Sequence, residues 1–152
     1  IASGTNASIF SGDVVNLSSG LVIQGTATGA PLGVFAGVEY QATDGSVVFS
    51  KVWTADVATL GAANAKAYVY SDPDIVYEAQ STGTPTQASI GTTNTISTTA
   101  GDSNTGRSKE GVTTTTSSGI ATVVGFVDRP DNSIGQYARV YVIFPASVFG
   151  NN

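Results

Sequence analysis

Almost half of this chain is threonine, valine, glycine and serine, with 20, 18, 18 and 17 copies among 152 residues, against four leucines at Leu17, Leu21, Leu32 and Leu60. Helix bundles depend on leucine. Thr and Val are β-branched, stiff in a helix and well suited to a pleated surface, while Gly and Ser furnish turns. The chain is therefore expected to be all-β. Its length suits one domain, and at that size roughly 68–70% of the unfolded chain's surface can be buried. A core can carry the fold unaided. The apolar fraction of 41%, gathered in short runs, separates the chain from disordered polar sequences.

Period-2 alternation locates the strands. Short strands are expected over residues 13–17, 21–24, 34–41, 46–53, 66–71 and 75–80, and the two strongest over 120–128 and 137–144. In 34–41, Val34, Ala36, Val38 and Tyr40 alternate with Phe35, Gly37 and Glu39. In 120–128, Ile120, Thr122, Val124 and Phe126 alternate with Ala121, Val123, Gly125 and Val127. Asp44-Gly45 between two β-rich runs predicts a hairpin. Residues 54–65 alone are helix-compatible, but Gly61 and Asn64 limit them to a short turn. With no helices for parallel crossovers, the pairing is expected to be antiparallel. The architecture is an antiparallel jelly-roll-like sandwich or barrel with extended terminal arms, residues 1–11 and 145–152. Residues 81–118 hold 13 of the 20 threonines and read as a Thr/Ser-rich surface excursion within a single β domain spanning 1–152.

Much chemistry is excluded by what is missing. The chain has no Cys and no His, so thiol nucleophiles, Cys-based zinc sites and histidine-dependent triads are impossible. Six basic residues against eleven acidic ones give a net charge of −5, which argues against a nucleic-acid partner. No apolar run approaches a membrane span, no signal peptide is visible, and with Ile as the first residue the start is expected to be processed, trimmed or left out.

Carboxylate pairs are the remaining enzymatic option. Glu39 and Glu78 lie in strand patterns, whereas most Asp residues sit beside Gly, Pro or Asn, where they stabilise turns. No catalytic residue, cofactor or metal site is expected. Asp72/Asp74 and Asp128/Asp131 read as polar turns rather than a calcium site. Asn6-Ala7-Ser8 matches a glycosylation acceptor, a common pattern. Tyr68, Tyr70 and Tyr77 with Trp53 could form a sugar-binding row. Ordinary packing explains them as well.

Several motifs recur in a distinctive order. Gly12-Asp13-Val14-Val15 is followed by Gly33-Val34-Phe35-Ala36-Gly37-Val38 and by Ser71-Asp72-Pro73-Asp74-Ile75-Val76-Tyr77-Glu78-Ala79-Gln80. Then come Gly125-Phe126-Val127-Asp128-Arg129-Pro130-Asp131-Asn132-Ser133-Ile134-Gly135 and a closing strand over 139–144. Across residues 12–144 this set resembles the tailed-bacteriophage head decoration, or capsid cement, proteins. The resemblance implies a jelly-roll-like β fold, no catalysis and no cofactor. It implies a homodimer or homotrimer seated on the outer surface of the capsid, bridging neighbouring capsomers of the major capsid protein, with no nucleic-acid or membrane partner. Ile9, Phe10, Trp53, Arg107, Lys109 and Phe149 are the expected capsid or subunit contacts. The alternative is a carbohydrate-binding β-sandwich displayed on a virion or cell surface.

Overall fold

A computed structural model describes residues 1–114 and 119–149. Residues 115–118 of the Thr/Ser-rich segment and 150–152 of the expected tail lie outside the described residues. The strands are β1 (Ile9–Phe10), β2 (Val14–Ser18), β3 (Leu21–Gln24), β4 (Pro31–Gln41), β5 (Val47–Ser50), β6 (Val52–Trp53) and β7 (Lys66–Tyr70). They continue as β8 (Tyr77–Gln80), β9 (Thr93–Asn94), β10 (Ile96–Ser97), β11 (Gly111–Val112), β12 (Ala121–Phe126) and β13 (Arg139–Ile143). The fold is all-β. Helix is limited, among the described residues, to two single 3₁₀ turns at Leu60–Ala62 and Gln87–Ser89.

Two larger antiparallel sheets dominate, and neither closes into a barrel. One runs β3-β2-β4-β5, with β7 on the other side of β4. The other runs β8-β13-β12-β9. The predicted hairpin forms between β4 and β5. Gly45 takes φ 88°, and Asp44 Oδ1 accepts the Ser46 N–H at 2.9 Å, the side-chain-to-backbone bond that suits Asp to turns.

Two apolar clusters form the core, and β2 passes between them. Val14 packs with Ile96, Val112, Ala121, Val123, Val140, Val142 and Phe144 against the four-stranded sheet. Its neighbour Val15 packs with Ile9, Leu32, Phe35, Val38 and Trp53. Successive residues of a strand point to opposite faces, so this end of the five-stranded sheet is covered on both sides. Val34 and Phe35 repeat the division one strand over.

The expected alternation breaks at two bulges. In β4 the register against β7 shifts between Phe35 and Gly37, so Phe35 and Val38 are both buried. In β12 it shifts between Val123 and Gly125, so Phe126 joins Val123 on the face packed against the core, while Val124 is exposed. An extra residue in one strand turns every later side chain over. In β13, Val140, Val142 and Phe144 share the buried face as expected.

The extended arm expected at 1–11 is instead packed on its own domain. Ile9 pairs with Trp53 and Phe10 with Val52. Ile1 is buried and its backbone nitrogen donates to the Ala65 carbonyl at 2.8 Å. At the other end, the Val148 N–H donates to the Pro31 carbonyl at 2.9 Å.

Candidate functional site

The motifs that are far apart in sequence converge at one edge of the four-stranded sheet. Glu78 on β8 accepts two bonds from Arg129, at 3.2 Å (Nη1 to Oε1) and 2.9 Å (Nη2 to Oε2). Such a fork-to-carboxylate pair is the most directional of ion pairs. Arg139 on β13 lies 3.8 Å from both Glu78 Oε1 and Asp131 Oδ2. Asp128 and Asp131 are the acids nearest Arg129 in sequence. Its partner is 51 residues away.

Asn132 closes the loop between β12 and β13. Its Nδ2 donates to the carbonyls of Val127 (2.7 Å) and Arg139 (3.0 Å), and its Oδ1 accepts the Arg139 N–H at 2.8 Å. The side chain thus stands in for a missing piece of backbone ladder. The Pro130-Asp131-Asn132 turn is held from three sides, and Ile134 and Tyr137 project from it, 54% and 56% exposed. Tyr137 adopts φ 61°, a left-handed conformation that costs a non-glycine residue about 1–2 kcal/mol. The Gly83 carbonyl accepts its N–H and Gln80 Nε2 donates to its carbonyl, which holds it there.

A second exposed apolar face lies on the five-stranded sheet. Phe49 on β5 and Tyr70 on β7 are 69% and 59% exposed. Phe49 and Tyr68 flank a groove of about 370 Å³ floored by Ala36 and Gly37. Tyr68 Oη donates to Glu39 Oε2 at 2.5 Å, and Lys66 Nζ lies 3.8 Å from the same oxygen.

The expected contact residues separate into two groups. Ile9, Phe10 and Trp53 are buried in the chain's own core, because the β1–β6 pairing turns them inward. Trp53 packs edge-to-face on Tyr40 and cannot join Tyr68 and Tyr70 in a surface row. Arg107 and Lys109 are exposed, the latter 3.6 Å from Asp102, and Phe149 is 60% exposed. Ile134, Tyr137 and Phe49 are exposed residues that sequence reasoning did not select. Tyr70 entered it only as a member of a possible sugar-binding row.

Glu39 and Glu78 stand on different sheets, each neutralised by its own cations, and do not form an acid–base pair. Asp72 serves its turn by accepting the Asp74 N–H. Among the described residues no group of three or more acidic side chains is placed to hold a metal ion, and no helix is long and apolar enough to cross a membrane.

One unusual carboxylate remains. Glu110 Oε2 accepts the Val14 N–H at 2.8 Å, while Oε1 is buried with no hydrogen-bond partner among the described residues. Burial pushes its pKa up to about 7, with the nearby Asp13 adding to the rise. Burial also raises Asp13, against hydrogen bonds from Ser108 and the Phe10 N–H. These two carboxyls fasten the 101–112 segment to the start of β2.

No family model, curated protein or solved structure matches this chain.

Proposed function

We propose that the protein is a structural component of a phage particle. It binds the outside of the head as a small homo-oligomer and stabilises the major capsid protein lattice by bridging neighbouring capsomers. The observation that carries this reading is the convergence of the resembling motifs. The Asp72-to-Gln80 segment and the Arg129-Pro130-Asp131-Asn132 turn are joined by Glu78, Arg129, Arg139 and Asn132 into one braced loop. That loop presents Ile134 and Tyr137 to a partner. Exposed aromatics in well-held settings are the residues from which protein interfaces draw most of their energy. A binder specific for the assembled shell stabilises it by mass action. The net charge of −5 fits the outside of a shell better than a position against packaged DNA.

The test is addition of the purified chain to expanded shells that lack decoration. Saturable co-sedimentation and a raised disassembly temperature are expected, with a dimer or trimer in sedimentation. A chain that never co-sediments would overturn the reading.

The Phe49–Tyr68 groove favours a second reading, a carbohydrate-binding module. Strands lie about 4.8 Å apart, so β5 and β7, on either side of β4, are separated by about 10 Å. That gap admits one sugar ring between aromatic walls. Glycan-array binding lost in Phe49→Ala or Tyr68→Ala supports it, and a blank array removes it.

A further inference from the structure

The chain has six basic residues, and four of them have carboxylate partners. Lys66 pairs with Glu39, Lys109 with Asp102, Arg129 with Glu78, and Arg139 with Glu78 and Asp131. Lys51 and Arg107 are the two exposed cations with no ion-pair partner among the described residues. They are also neighbours. Gly106 takes φ 69°, and a Cβ built there would lie 3.5 Å from Lys51 Cβ. In a chain with eleven carboxylates, adjacent unneutralised cations stand out from the rule the other four obey, since like charges repel.

Both cations line one cleft of about 460 Å³, with Gln80, Ser108, Glu78 and Glu110 among its other walls. The 102–107 turn holds Arg107 in place. Asp102 Oδ1 accepts the N–H groups of Asn104 and Thr105, the Asp102 N–H donates to the Arg107 carbonyl at 2.8 Å, and Ser11 N–H donates to the Gly106 carbonyl at 3.1 Å. Of the cleft's two acidic walls, Glu78 is committed to Arg129 and Arg139. Another wall is Glu78, Ala79 and Gln80 of β8, the edge strand of its sheet. Sheet edges take up extended segments by strand addition.

We propose that this cleft receives an acidic segment of a partner polypeptide, one of whose carboxylates lies between the Lys51 ammonium and the Arg107 guanidinium. That the partner is the capsid shell rests on the function proposed above; the acidic specificity rests on the cleft alone. Five ionisable groups set its charge: Lys51, Arg107, Glu78, Glu110 and, behind Glu110, Asp13. Below about pH 7 Glu110 is held neutral by its burial. Lys51 and Arg107 then face the ligand without opposition. Above that pH Glu110 ionises and repels it.

The experiment titrates the ¹⁵N-labelled full chain with a blocked Asp-Glu-Asp tripeptide, a blocked Ser-Gln-Ser tripeptide and inorganic phosphate, at equal ionic strength. The acidic peptide is expected to shift the amides of Lys51, Gly106, Arg107 and Ala79, and the neutral peptide to leave them still. The Lys51→Gln/Arg107→Gln double variant should weaken acidic-peptide binding about tenfold, a loss in keeping with desolvated charge pairs, while Lys109→Gln leaves it intact. Raising the pH from 6 to 8 should weaken it, and Glu110→Gln should remove that dependence. Unmoved amides at 51, 106 and 107, or shifts that survive the double variant, would overturn the proposal. So would identical shifts with phosphate, which would mean a general anion site. Failure of the unaltered chain to bind shells, with peptide binding intact, removes the shell as partner and leaves the cleft's specificity standing.

Discussion

At the scale of single residues, the side chains of greatest consequence are polar ones that replace backbone. Asn132 satisfies three main-chain groups at the base of the 128–138 loop. Asn132→Ala should cost about 2 kcal/mol, since each orphaned backbone group costs roughly 1–3 kcal/mol and water can reach part of this loop. For a chain of this length that lowers Tm by about 4–8 °C, measurable by calorimetry. Glu110 makes a pH prediction of opposite sign to the usual carboxylate. Its pKa rises from 4.5 unfolded to about 7 folded, so the native state binds the extra proton. Its contribution to stability is fully present below about pH 4.5, falls as pH rises toward about 7, and is level above. The loss is about 2–3 kcal/mol, reduced from the full linkage value because the group is partly solvated. Asp13 adds in the same direction. Glu110→Gln should match the parent near pH 4.5 and exceed it at pH 8 in urea unfolding. None of this could be read from the sequence. Glu110 sits in a polar run after Lys109, and only the packing of that run onto β2 desolvates it. Likewise Asp128 and Asp131 are the nearest acids to Arg129 in sequence, yet strand pairing between β8 and β13 brings Glu78 to it.

At the scale of elements, composition and alternation located most of the strands, because Thr- and Val-rich runs bounded by Gly, Pro and Asp have few other stable forms. Facing was legible wherever the strand was regular. In β7, Tyr68 and Tyr70 point outward and Ala67 and Val69 inward. It failed at the bulges in β4 and β12, which no single-residue preference marks. It failed also for residues 1–11, whose Gly/Ser content resembles a free arm but whose Ile9 completes a core already holding Trp53, with Phe10 buried and paired with Val52. Gly33 shows how tightly the long strand is fitted. A Cβ there would lie 2.0 Å from the Tyr70 carbonyl oxygen, between backbone groups that cannot retreat without breaking the β4–β7 ladder. Gly33→Ala is expected to destabilise by about 3 kcal/mol, the upper range for overpacking. Phe35→Ala, which empties the centre of the same sheet, should cost about 3–5 kcal/mol. Chemical denaturation of both variants checks the order.

At the scale of the whole molecule, exposed apolar side chains stand on both sheets and on the braced loop: Phe49 and Tyr70 on the five-stranded sheet, Val124 and Tyr141 on the four-stranded one, Ile134 and Tyr137 on the loop. Tyr137 joins stability to function. Its left-handed backbone is a local cost that an isolated chain gains nothing from, because the ring is mostly in solvent. Asparagine adopts this conformation more readily than tyrosine. Tyr137→Asn should therefore raise the Tm of the isolated chain by about 2–4 °C, the equivalent of about 1 kcal/mol at this size. If the loop is the shell-binding surface, the same substitution should weaken association with undecorated shells about tenfold, as expected when one central aromatic anchor is lost. Ile134→Ser, at a residue with no backbone strain, should weaken association without the gain in Tm. A Tyr137→Asn chain that is more stable and binds shells as tightly as the parent would take the loop out of the interface. The outer face of the five-stranded sheet, with Phe49 and Tyr70, would then be the next surface to substitute. Strain kept at a residue that does nothing for the isolated fold is what a rigid contact surface requires, since a loop ordered beforehand loses less entropy on binding.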